Sequence, residues 1–168
     1  MKHRKLAGIL VGLSLALSLP MVTFAAPSAD TGADAAPIVI LHTNDVHCGI
    51  DDAIGYAGLA AYKAEMEAAY GADRVTLLDA GDAIQGGALG TLSDGAFVVD
   101  IMNQAGYDLA VPGNHEFDYG MENFLTLADS RADFPWLSCN FMDLTAGTPA
   151  LDPYLIQDYG DIQIAYVG

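Results

Sequence analysis

Cationic side chains are scarce in this chain. Its 168 residues carry six Lys and Arg against 22 Asp and Glu, for a net charge of −16. Half of the cations, Lys2, Arg4 and Lys5, stand at the extreme N-terminus, and only Lys63, Arg74 and Arg131 follow. Such a surface repels nucleic-acid polymers and anionic membranes. Solubility alone accounts for most of the acids. An anionic substrate would need attraction from something other than side-chain cations, and carboxylate-held metal ions would supply it. Cysteine is also scarce. Cys48 and Cys139 are too few for a disulfide-held scaffold, and each is expected as a free thiol or small core residue, although export would permit a bridge between them. No internal repeat is present, and there is only one long apolar run.

That run, residues 6–19, follows a positive head of Lys2, His3, Arg4 and Lys5. Pro20 and the small residues Ala25 and Ala26 come after it. This is the three-part layout of a secretory signal peptide over residues 1–26. Pro20 leaves the run short of the roughly 20 apolar residues that span a bilayer. No cysteine follows it to carry a lipid anchor. The protein is therefore expected to be exported, to the periplasm, the cell surface or the medium, with no transmembrane segment after cleavage. Residues 27–36 are small, polar and acidic and read as a disordered linker. Residues 37–168 suit a single domain. The sequence stops inside what reads as a strand, so the domain is expected to be truncated at its C-terminal side.

Within that domain strands and helices alternate. Residues 37–43 form an apolar run suited to a strand covered on both faces. Residues 54–70 read as an amphipathic helix closed by Gly71 as a left-handed cap. Residues 74–80 are a second buried strand. Ser93 or Asp94 should cap a helix with Phe97, Val98, Ile101, Met102 and Ala105 on its core face, ended by Gly106. Residues 108–111 form a third strand, 121–129 a third helix and 135–140 a fourth strand. Residues 141–153 read as loop, and 154–157 with 162–167 as a hairpin. The alternation predicts an α/β layer with parallel strands.

Each of the first three strands empties into a polar loop. The first carries Asp45 and His47, the second Asp82, and the third Asn114, His115, Glu116 and Asp118. In a parallel sheet these loops share one edge, the edge where open α/β sheets bind ligands. Asp45 and His47 are one residue apart, so in extended backbone both side chains face one ion. The Asp82 carboxylate has two oxygens and can bridge two ions, and Asn114 offers a neutral carbonyl. Oxygen and nitrogen donors without thiolate suit Mn, Zn, Fe or Mg. An Asp-x-His dipeptide or a Gly-Asp turn is commonplace alone. Three such loops in order, each after a strand, are not.

The stretches Leu41-His42-Thr43-Asn44-Asp45-Val46-His47, Gly81-Asp82-Ala83-Ile84-Gln85-Gly86 and Gly113-Asn114-His115-Glu116-Phe117-Asp118-Tyr119-Gly120 resemble the first three motifs of the calcineurin-like metallophosphoesterases. Among these they are most similar to the exported 5′-nucleotidase and UDP-sugar hydrolase group. The resemblance runs from about Ile38 onward. It implies the N-terminal part of a four-layer αββα sandwich holding two divalent ions. Asp45 and His47 would bind the first ion, Asp82 would bridge, and Asn114 would bind the second. His115, oriented by Asp118, would be the catalytic pair. Such ions stabilise an in-line displacement at phosphorus, and His115 would stabilise the developing charge or protonate the leaving oxygen. Asp118 also suits a cap for the helix near Met121. His42 reads as structural, Glu116 as a former of loop hydrogen bonds, and Gln85 as a residue that orders its own loop.

The implied activity is hydrolysis of a nucleotide or other small phosphate ester, most directly release of phosphate from nucleoside 5′-monophosphates. A 2′,3′-cyclic-nucleotide phosphodiesterase/3′-nucleotidase and a UDP-sugar hydrolase are alternatives of the same family. A non-catalytic exported metal-binding module is the alternative of another class. Members of the family carry further histidine ligands later in the domain. The four histidines here are His3, His42, His47 and His115, so this stretch alone is expected to be inactive or nearly so.

Overall fold

The computed structural model describes residues 36–168. The signal peptide over 1–26 and all but the last residue of the 27–36 linker lie outside the described residues. At the centre is a parallel sheet of β1 (Val39–Thr43), β2 (Val75–Asp79) and β3 (Leu109–Ala110), in the order β1-β2-β3. Val39 pairs with Val75 and Thr43 with Asp79, while Asp79 also pairs with Ala110. All three strands therefore finish level with one another.

Helix α1 (Gly55–Tyr70) joins β1 to β2. Two helices, α2 (Ala88–Ser93) and α3 (Ala96–Ala105), join β2 to β3, and α4 (Met121–Ser130) follows. The core gathers Leu77 of β2, Val98, Val99 and Met102 of α3, Phe124 of α4, and Trp136. Lys63 of α1 fastens this layer, donating to the Gly106 carbonyl at 2.5 Å and to Asp108 Oδ2 at 3.0 Å. No helix among the described residues is long and apolar enough to cross a membrane.

Several sequence expectations change. Strand β1 is not covered on both faces: Leu41 packs on the core, but Ile40 is 45 % exposed and His42 is exposed. Alternate residues of a strand face opposite ways, and the helices cover only one side of this edge strand. Gly71 closes α1 with its N–H on the Glu67 carbonyl and has the positive φ of 99° expected of it, but its ψ of 140° lies outside the left-handed helical region. Helix α2 was not expected, because six residues containing a glycine give too little periodicity. Ser93 does reach the first turn of α3, accepting the Phe97 N–H at 3.1 Å, although Gly95 holds the cap position. Phe97 itself faces solvent, and Val99 takes the core position instead.

The fourth strand reduces to isolated bridges, Ala110 with Trp136 and Leu137 with Asp152. The loop over 141–153 contains a small antiparallel pair, β4 (Met142–Asp143) and β5 (Thr148–Pro149). The expected hairpin forms as β6 (Tyr154–Asp158) and β7 (Gln163–Val167). It lies against β2 through the Tyr159 hydroxyl, 2.5 Å from that of Thr76. Both cysteines are free, Cys48 buried and Cys139 exposed.

Candidate metal centre

Three loops leave the level edge of the sheet: residues 44–49 after β1, 80–87 after β2, and 111–120 after β3. The first loop lies along the second through main-chain bonds. Asp45 N–H reaches the Gly81 carbonyl, His47 N–H that of Asp82, and Cys48 N–H that of Ala83, each at 2.9 Å. This ladder requires unusual backbone. Asp45, His47, Cys48 and Asp82 all have positive φ, between 48° and 62°. Non-glycine residues held there cost of order 1 kcal/mol or more each and persist only where surrounding structure enforces them. Four such residues converge on the predicted ligands.

The third loop is held differently. Glu116 has no exposed surface. Its Oε2 accepts the N–H groups of Asp82 at 2.8 Å and Gly113 at 2.6 Å, and its Oε1 those of Ala83 at 2.8 Å and Ile84 at 3.3 Å. The sequence marked Glu116 as a loop hydrogen-bond former. Its side chain in fact ties two loops together. Gly113 completes the junction, because a Cβ there would collide with the Asp82 carboxylate. Gly81 has the same constraint, since its Cβ would lie 2.6 Å from the Gly113 nitrogen.

These contacts bring His47, Asp82 and His115 together. One ligand atom from each lies within 4.8 Å of the other two. The two imidazoles sit edge to face, with ring centroids 5.1 Å apart. His47 Nδ1 is 3.1 Å from the Gln85 carbonyl, and His115 Nδ1 is 2.8 Å from Asp118 Oδ2. A proton placed on Nδ1 by such a partner leaves the Nε2 lone pair for an ion. Asp82 Oδ1 accepts the backbone N–H of His115 at 2.8 Å, which ties the carboxylate to the third loop. Two imidazoles and a carboxylate at this spacing fit a divalent transition ion.

The remaining predicted residues are placed less tightly. Asp45 lies outside this close group, and its carboxylate accepts the Asn44 side-chain amide at 2.7 Å. Asn114 is exposed at the start of a 3₁₀ turn over His115–Phe117. Asp118 is not a helix cap, because Gly120 holds the N-cap position of α4 and no side chain caps it. Its carboxylate is turned onto His115 instead. That hydrogen bond is the main cause raising the His115 pKa above its ordinary value, with the Asp118 charge and those of Asp82 and Glu116 adding to it. His115, expected only beside the metals, stands among the candidate ligands by its spacing to His47 and Asp82.

One group went unnoticed in the sequence. Asp79 ends β2 fully buried, and burial pushes its carboxyl up to about 7. The sign that was available is a lone acid closing the apolar run Val75-Thr76-Leu77-Leu78.

Known proteins resemble this chain. The family profile for calcineurin-like phosphoesterases matches residues 38–166. A 5′-nucleotidase of Vibrio cholerae is 37% identical over 139 residues, covering 78% of this chain and 25% of that protein. A 2′,3′-cyclic-nucleotide 2′-phosphodiesterase/3′-nucleotidase of Yersinia enterocolitica is 34% identical over 162 residues, covering 87% of this chain and 24% of that protein. The structure of an NAD nucleotidase from Haemophilus influenzae superimposes with a TM-score of 0.66 at 28% identity, over 78% of this chain and 26% of that one. The chain thus spans about a quarter of the length of the curated relatives it matches. With loops, ligand-type residues and profile match all in agreement, the chain belongs to the calcineurin-like phosphoesterase family.

Proposed function

We propose that this chain carries part of the metal centre of an exported phosphoesterase that releases phosphate from nucleoside 5′-monophosphates. The convergence of His47, Asp82 and His115 within 4.8 Å carries the reading. The 5′-nucleotidases among the relatives favour the substrate class, and the signal-like N-terminus favours export. In this reading Asp45, His47, Asp82 and Asn114 would hold the divalent ions. Such ions, when bound, supply Lewis-acid stabilisation of phosphoryl charge. They also supply the positive charge that the acidic surface lacks. Asp118 fixes the His115 tautomer and favours its protonated form, so the imidazole can donate to a phosphoryl or leaving oxygen.

The test, made on the full protein, is Mn²⁺ binding by calorimetry, followed by phosphate release from AMP, 2′,3′-cyclic AMP and UDP-glucose with and without chelator. Mn²⁺ binding lost in Asp82→Ala and chelator-sensitive release from AMP are expected. Preference for the cyclic ester would favour the second reading, which the Yersinia enterocolitica relative supports over 87% of this chain. Mn²⁺ binding with no turnover of any ester would make the protein a metal-binding module.

A further inference from the structure

Asp79 takes no part in the chemistry above, yet it stands directly beneath it. Its Oδ1 accepts the Gly81 N–H at 2.8 Å, and its Oδ2 accepts the Thr43 hydroxyl at 2.6 Å. The Thr43 hydroxyl also meets that of Tyr107 at 2.7 Å. Gly81 passes the connection on, because its carbonyl accepts the Asp45 N–H. A local aspartate turn accounts for the Gly81 bond alone. It does not account for the second oxygen, which crosses to the last residue of β1. One carboxylate thereby holds the residue two positions before Asp45 and the residue immediately before Asp82.

Burying an acid in this way is costly, and an apolar residue of similar size would avoid the cost. The burial that raises its pKa is opposed by the Thr43 and Gly81 bonds, while the charges of Glu116 and Asp82 raise it further. Folding stability alone gives no reason to keep a carboxylate there.

We propose that Asp79 is a positioning residue of the metal centre, whose buried carboxylate sets the register between the first and second loops and so governs metal affinity without touching the ion. This rests on the reading that His47 and Asp82 hold metal. Outer partners of ligating residues commonly change metal affinity by about 10- to 100-fold.

The test uses Asp79→Ala, Asp79→Asn and Thr43→Val in the full protein, with two readouts. The first is amide hydrogen exchange at Gly81 and Asp45 without metal. The second is Mn²⁺ affinity by calorimetry. Asp79→Ala should speed exchange at both amides about tenfold or more while leaving α4 unchanged, and should weaken Mn²⁺ binding by about 10-fold or more. Asp79→Asn should restore most of both, since its carbonyl still accepts from Gly81 and its amide can donate to Thr43. Thr43→Val should fall between them. Unchanged exchange and affinity in Asp79→Ala would overturn the proposal, as would faster exchange throughout α4 with no rescue by Asn. If Asp79→Ala does not fold, unchanged Mn²⁺ affinity in Thr43→Val overturns it. A wild-type protein that binds no Mn²⁺ would sink the metal reading, and exchange at Gly81 and Asp45 would still decide the register role.

Discussion

The first and third loops reach the same small volume by opposite means. The first is laid down by backbone: three main-chain bonds to the second loop, at the expense of positive φ at Asp45, His47 and Cys48. The third depends on side chains: Glu116 satisfies four amide groups, and Asp82 accepts the His115 N–H. A backbone ladder survives most single substitutions, because every residue type but proline carries the same donor and acceptor. A carboxylate that gathers four donors does not. The first loop should therefore be mutationally robust and the third fragile, although both present ligand-type residues to one site.

Glu116→Ala is the sharpest way to break this contrast. It strands buried donors that each cost about 1–3 kcal/mol when unpaired, so a loss of at least about 3 kcal/mol is expected by urea unfolding. Gly113→Ala comes next. Its methyl group must displace the Asp82 carboxylate, with an overpacking cost of about 1–3 kcal/mol and a weakened Mn²⁺ isotherm. On the first loop, Cys48→Ala removes a buried thiol that donates to the Ile84 carbonyl at 3.1 Å. It leaves the ladder intact, so about 1 kcal/mol is expected in the same unfolding measurement. A larger loss there than in Glu116→Ala would reverse the contrast.

The smallest effect is electrostatic. Asp118 raises the His115 pKa, so the pair adds stability below the ordinary histidine value, and that contribution is lost as pH rises through the raised one. Asp118→Asn should bring the His115 titration back toward 6.5 and flatten that dependence. NMR titration of the imidazole in metal-free protein reads this directly, and an unmoved His115 would show that Asp118 is not its orienting partner.

Much of the fold and the site is legible in the sequence alone. Apolar runs at Ile38, Val75 and Leu109 announce parallel strands, and the acids and imidazoles that follow them announce a shared edge. Faces are harder to assign. Periodicity says that Ile40 and Leu41 point opposite ways, but not that only one side of β1 is covered. The same limit hides Phe97, which has the spacing of a core residue and lies in solvent. Residues 135–140 look like a strand but make only single bridges, because pairing needs a neighbour that composition does not reveal. Asp79 stays hidden for the converse reason. Nothing in an acid at the end of a strand tells that both of its oxygens are engaged below the surface.

The parallel register of β1, β2 and β3 has a consequence for the order of events during folding. Thr43 and Asp79 are 36 positions apart in sequence, and Asp82 and Glu116 are 34 apart. No ligand constellation exists until those distant segments have met, and long-range parallel pairing is slow. Before then an ion meets at most local groups such as Asp45 and His47, while Asp82 and His115 are still far off in the chain. Capture of a divalent ion at the complete site would follow assembly of the sheet and draw the folded population forward by mass action, so its onset would time the last step of folding.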